Sequence, residues 1–313
     1  MRVVNDECLK GMKSPIVSIM KNLHLAIVNI APERKLDFEK TFENFTFEYL
    51  DESKQIVKCD LGTNIILLSR SIVEIVWLLS YAHYVLHNFI ALKDKERLKP
   101  PKTECLIDLN HTSLTISMKL LEFAKKKLLD NSDDSWPLDI PKPLENPPKD
   151  SIDAVANELC LCAIASILHH ELAHIRLKDQ TYNGNEIEIE RQADYLAAEW
   201  FLGSDIMKDN LDSPIFKKRA LGIAVAFICM NMRGIYTQNF NDNIHPPSYD
   251  RLIYTLNKYI NEDDDLIWSF VVYALLIHIH IAKITPIKTN EVFDNYFEYA
   301  NAIANHIADN YTR

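Results

Sequence analysis

Apolar positions along this chain recur mostly at helical spacing, which predicts a mainly α-helical protein with one small β-element near the N-terminus. In that element Phe45, Phe47 and Tyr49 alternate with polar residues. The Asp51-Glu52-Ser53-Lys54 turn and Gln55-Ile56-Val57-Lys58-Cys59 follow, so a small β-hairpin is predicted there. Apolar stretches then predict helices at about 63–92 and 111–129, with a charged loop from Lys93 to Lys102 between them. Residues 154–168 hold no Gly or Pro and are rich in Ala and Leu, which suits a helix buried over most of its surface; Ser151 or Asp153 can cap its start. A further helix covers Glu188 to Phe201, and helices at about 214–234, 247–260, 264–283 and 289–310 complete the chain.

One segment interrupts this helical text. Trp136 to Pro148 carries five Pro in 13 residues and reads as a stiff linker or as an extended stretch across the surface. It separates an N-terminal helical region with the hairpin, residues 1–135, from a helical region at 150–313, through a connector at 136–149. The apolar helices on both sides can equally share one core.

Composition narrows the function. Of 313 residues, 48% are hydrophobic and 25% charged, ordinary globular usage. Ile65–Leu92 and Leu266–Ala282 approach the length of about 20 residues that a membrane span needs. Arg70, Glu74, His83 and His87 break the first and His278 and His280 the second, so both read as core helices and no membrane partner is expected. A net charge of −10 disfavours nucleic acid, whose phosphates need clustered Lys and Arg; the Lys125-Lys126-Lys127 run reads as a solvated helix face. No G-x-x-x-x-G-K or G-x-G-x-x-G run offers a phosphate-binding loop. The six cysteines are scattered without a C-x-x-C pair, and no apolar signal segment leads the chain, so buried thiols in a reducing cytoplasm are expected.

The candidate chemistry lies in His169-His170-Glu171-Leu172-Ala173-His174. Residues four apart share a helix face, so His170 and His174 can aim two imidazole nitrogens at one Zn2+, with Glu171 beside them as general base for an attacking water. His169 has Ala173 four residues on and is set aside as a neighbour. Sixteen positions after His174 comes Glu190, and Asp194 follows four residues later on the same face. Glu190 is the candidate third ligand, while Asp194 can accept a hydrogen bond from the outer nitrogen of a ligating His. Glu186 and Glu188 compete as ligands but read better as a solvated acidic face. Further on, Pro246 and Pro247 stiffen a helix start and hold His245 just outside it. His245 can then donate to a developing oxyanion or simply cap the helix. Arg251 can pair with a carboxylate, bind substrate or lie at the surface. His83 and His87 are also four apart, but no adjacent Glu or third ligand accompanies them.

His-Glu-x-x-His at 170–174, Glu-x-x-Ala-Asp at 190–194 and His-Pro-Pro-x-x-x-Arg-Leu at 245–252 together resemble the gluzincin metallopeptidases, which include the membrane-bound group of HtpX and the CAAX prenyl protease. In its helical character, size and mid-chain motif, the chain is similar to the Lit group of bacterial phage-exclusion peptidases. That resemblance implies a cytoplasmic zinc endopeptidase whose family acts on host elongation factor Tu, shutting down translation during infection. It also makes the hairpin a candidate rest for the substrate backbone. Two other classes stay open: a regulatory metallopeptidase resembling the ImmA/IrrE proteins, which cleave a repressor, and a non-enzymatic interaction protein on a metal-bearing helical scaffold.

Overall fold

An uninterrupted run without Gly or Pro from Ile152 to Asp179 builds the longest helix of the computed structural model, around which the remainder is arranged. The described residues are 2–4, 6–41, 45–60, 62–94, 112–130, 135–179, 185–237, 248–263, 265–285 and 293–311. The N-terminal part gives β1 (Arg2–Val4), α1 (Asp6–Gly11), α2 (Val17–Asn29), a 3-10 turn, α3 (Lys35–Thr41), β2 (Thr46–Leu50), β3 (Val57–Asp60) and β4 (Ile65–Ser69). The helices α4 (Arg70–Asp94), α5 (Thr112–Asp130), α6 (Ile152–Asp179) and α7 (Glu186–Leu202) follow. The chain then continues through α8 (Asp205–Lys208), α9 (Pro214–Thr237), α10 (Ser248–Asn257), α11 (Asp265–Ile281) and α12 (Tyr296–Tyr311).

The fold is mainly α, with a β-element that differs from the predicted hairpin. Four strands lie in the order β1-β2-β4-β3. β2 runs parallel to β1 and to β4, and β3 pairs antiparallel with β4 rather than with β2. The alternation at Phe45, Phe47 and Tyr49 is real, since all three side chains are buried. Their strand finds its partners elsewhere because Ile65–Ser69, an apolar run with no readable period, is a strand and not the first turn of the following helix. Tyr49 ties the sheet to the helices by donating its hydroxyl to the Met20 carbonyl at 2.7 Å.

α6 packs against α2, α4, α7 and α9, so its apolar surface is covered on several sides. By length and composition Ile152–Leu177 and Pro214–Thr237 could each cross a membrane; 61% and 67% of their most apolar windows is buried inside the protein, where internal packing already uses them. One buried core cluster runs from Leu9 to Ile307. The Pro-rich segment is an extended strap across the helices: the Trp136 indole donates to the Pro141 carbonyl and stacks edge-on against Trp77 and Phe123, and Asn157 donates to the Leu144 carbonyl.

The polar breaks in α4 have partners. Glu74, 1% exposed, lies 2.9 Å from the Arg70 guanidinium and 2.8 Å from Lys127 Nζ, and accepts from Ser14 Oγ. Lys127 is therefore a buried counter-ion and not part of a solvated face, because an isolated buried carboxylate is costly and a buried cation offsets it. His83 and His87 bind different partners on α11, His278 Nε2 at 2.9 Å and Ser269 Oγ at 2.9 Å, so the pair does not converge on a metal. Burial holds the His83 imidazole down to about 3.

α6 and α9 are in close contact at Gly222, where a Cβ would come within 2.4 Å of the Cys162 Cβ. Gly222→Ala would gain helix propensity of about 1 kcal/mol but force the two helices apart, at a typical cost of about 1–3 kcal/mol. A lower urea midpoint is the expected result; an unchanged or raised midpoint would show that the helices separate freely.

Candidate metal centre

The site begins with two helix starts. Ser151 Oγ accepts the Ala154 N–H at 3.2 Å and sets the register of α6, which carries His170, Glu171 and His174. α7 begins with a capping box. Asn185 Oδ1 accepts the Glu188 N–H at 2.9 Å, and Glu188 Oε2 accepts the Asn185 N–H at 3.0 Å. Glu188 thus serves the cap and Glu186 is exposed, while Glu190 and Asp194 face α6 and are buried.

Across this helix pair His170, His174 and Glu190 converge, with one potential ligand atom from each within 4.8 Å of the others. The two imidazole Nε2 atoms are 3.0 Å apart, and the Glu190 oxygens lie 3.4 Å from His170 Nε2 and 3.2 Å from His174 Nε2. Two imidazoles and a carboxylate aimed at one point concentrate lone pairs that a divalent cation would satisfy. Two His and one Glu also form a known hydrolytic zinc set. The residues present therefore fit a zinc ion. Their side chains are 10–20% exposed, which leaves the point reachable from outside.

Behind His170 stands a charged chain. His170 Nδ1 lies 2.9 Å from Asp194 Oδ1. Arg251, on α10, donates from Nε to Asp194 Oδ2 at 2.6 Å and from Nη2 to Asp194 Oδ1 at 2.8 Å, and reaches Glu190 Oε2 at 3.3 Å. Of the roles open to Arg251 in the sequence, the structure displays the carboxylate-pairing one. The electrostatics follow from these contacts. Burial lowers His170, but Asp194 and Glu190 outweigh it and lift the imidazole to about 9. Burial raises Glu190 and Asp194, yet His170 and Arg251 hold both carboxyls below their ordinary range.

Glu171 lines the same small cavity as His170, Glu190, Asp194 and Arg251. His169 is turned away, stacked on Trp200 of α7 with its Nε2 3.3 Å from the Ile27 carbonyl, a neighbour and not a ligand. His245 lies outside the described residues. The contribution of α9 was not anticipated: Ile223, Ala226, Phe227 and Met230 wall the cavity, and a helix apolar on most sides gives no sequence signal for one functional face.

The Peptidase U49 family model matches residues 66–271, a span that contains α6 and α7 entire. The chain is 30% identical over 303 residues to the cell death peptidase of Escherichia coli (strain K12), covering 91% of this chain and 95% of that protein. No solved structure matches. Both comparisons point to a peptidase, and the chain belongs to the Peptidase U49 family.

Proposed function

We propose that this protein is a zinc-dependent endopeptidase of gluzincin type. The observation that carries the reading is the convergence of His170, His174 and Glu190 from two helices onto one point, with Asp194 behind His170. His170, His174 and Glu190 would hold the zinc, which would supply Lewis acidity for a peptide carbonyl and a more nucleophilic water near neutral pH. The protein's own residues do the rest. The Asp194 carboxylate, 2.9 Å from His170 Nδ1, draws the ring proton to that nitrogen, the tautomer that leaves Nε2 free to ligate. Arg251 keeps Asp194 ionised and in place. As water attacks the peptide carbon, a Glu171 carboxylate oxygen takes its proton and delivers it to the leaving nitrogen as the C–N bond breaks. His245 is the proposed donor to the developing oxyanion.

The cellular role follows from the resemblance to the Lit group. A cytoplasmic enzyme cleaving elongation factor Tu in phage exclusion is the substrate and role we assign, and the likeness to the cell death peptidase of Escherichia coli supports a protein substrate. Metal analysis should find one zinc per chain in the wild type and little in His174→Ala. Mass spectrometry of host lysate should then show a new cleavage product only with the zinc-loaded protein. A wild type that purifies and folds without retaining zinc, and cleaves regardless, overturns the metal assignment; cleavage confined to other proteins overturns the elongation factor alone.

A further inference from the structure

Away from the candidate ligands, two adjoining cavities follow α10. One of about 620 Å³ is lined by α7, α10 and α12, and one of about 440 Å³ by α7, α8 and the end of α10; they share Asn257 and Lys258. The first reaches Asp194 and Arg251 but none of His170, Glu171, His174 and Glu190. Arg191 and Lys258 are exposed in the first and Lys208 in the second, and among the described residues none of the three makes an ion-pair contact with a carboxylate. The acidic groups there are mostly engaged. Asp194 is held by Arg251, and Glu199 by Arg34 at 3.4 Å and the Tyr259 hydroxyl at 3.0 Å. Asp250 remains, drawn by Arg191 at longer range.

We infer that this groove is an exosite for an acidic segment of the protein substrate, gripped away from the bond that is cut. This rests on the peptidase reading above and adds how the substrate is held. On a chain of net charge −10, three cations without ion-pair partners along one groove are a local reversal of sign that attracts acidic side chains, while the overall charge opposes a polyanion as long as a nucleic acid. Lys258 is already held in place, its Nζ 3.4 Å from the centre of the Tyr195 ring, which lowers the ordering cost of a contact. Tyr254, 64% exposed, stands in the same groove; an aromatic with a polar tip beside an Arg is the kind of residue that anchors protein interfaces. The side-chain amides of Asn257 and Asn305 can both donate to and accept from an extended backbone. α10 has ten residues and is about 15 Å long, enough to lie beside about five residues of extended chain. The groove meets the metal centre only through the Asp194–Arg251 pair, so holding the substrate and cutting it are separable.

Digestion of intact bacterial lysate by the zinc-loaded full-length protein, run beside digestion of short peptides prepared from the same lysate and read by mass spectrometry, tests this. Arg191→Glu combined with Lys258→Glu should slow cleavage of the lysate protein by at least about 10-fold and leave peptide cleavage at the wild-type rate. Tyr254→Ala should slow the protein arm alone, and Lys258→Arg should keep the wild-type rate in both. Asp250→Asn removes the remaining carboxylate and should speed protein cleavage, a change of opposite sign that loss of folding cannot produce. Raised salt should slow the wild type on lysate protein and not on peptides. Charge reversal without effect on lysate protein, an equal fall in both arms, or a wild type that cuts peptides but no lysate protein overturns the exosite alone. A reversal that changes the size of the protein in solution while protein cleavage stays unchanged assigns the groove to a second copy of the chain and overturns it as well. A zinc-loaded wild type that cleaves nothing in either arm overturns the underlying peptidase reading.

Discussion

Glu171→Gln is expected to lower peptide hydrolysis by roughly 10²- to 10⁴-fold, the usual worth of a positioned general base, while zinc content and folding stay at wild-type level. The substitution keeps size and hydrogen-bonding reach and removes only the ability to accept a proton. Glu171 follows His170 on α6 and lines the cavity that His170, Glu190 and Arg251 share, yet it is absent from the three-residue cluster that converges on one point. Loss of activity without loss of metal is what that position predicts. The fall should lie in kcat with KM little changed, since the proton moves only on the way to the transition state. Steady-state kinetics on a cleaved peptide, with zinc measured in the same preparation, decides the matter. An unchanged kcat would remove Glu171 from proton transfer, and zinc lost together with activity would make it a ligand.

The legible parts of this protein were those fixed by local periodicity. His170 and His174 are one helical turn apart, as are Glu190 and Asp194, so each pair could be placed on a face before any tertiary contact was known. The Arg251–Asp194 pair spans 57 residues, and only an open choice of partner could be read for it. The sheet was less legible because parallel pairing joins segments distant in sequence: β1 reaches β2 across more than 40 residues, and Ile65–Ser69 carries no alternation that separates a buried strand from a buried helix turn. Lys127 misled for a similar reason, since its counter-ion Glu74 is on another helix. The cavity-lining face of α9 was hidden by the apolar character of the whole helix, where core packing and cavity lining call for the same residues.

Arg251→Ala should destabilise the zinc-free protein by about 3–5 kcal/mol, the usual cost of leaving a buried charge without its partner. The Asp194 and Arg251 side chains are 4% and 5% exposed and joined by two hydrogen bonds, and the same guanidinium reaches Glu190. Its removal leaves two neighbouring carboxylates beside His170 and His174 without the guanidinium that pairs with both. Lysine is a poor substitute, because a single ammonium cannot donate through a planar fork to both Asp194 oxygens. Zinc should narrow the deficit, since a dication beside Glu190 relieves part of the excess negative charge, so the variant should gain more stability from added zinc than the wild type does. Asp194→Asn alone should weaken zinc binding by roughly 10- to 100-fold through loss of the carboxylate behind His170. Combined with Arg251→Ala it should destabilise less than the sum of the two, because the double variant strands fewer charges. Urea unfolding with and without zinc across this cycle provides the measurement. If Arg251→Ala unfolds like the wild type in both conditions and only KM for peptide rises, Arg251 holds substrate rather than the carboxylate that orients His170.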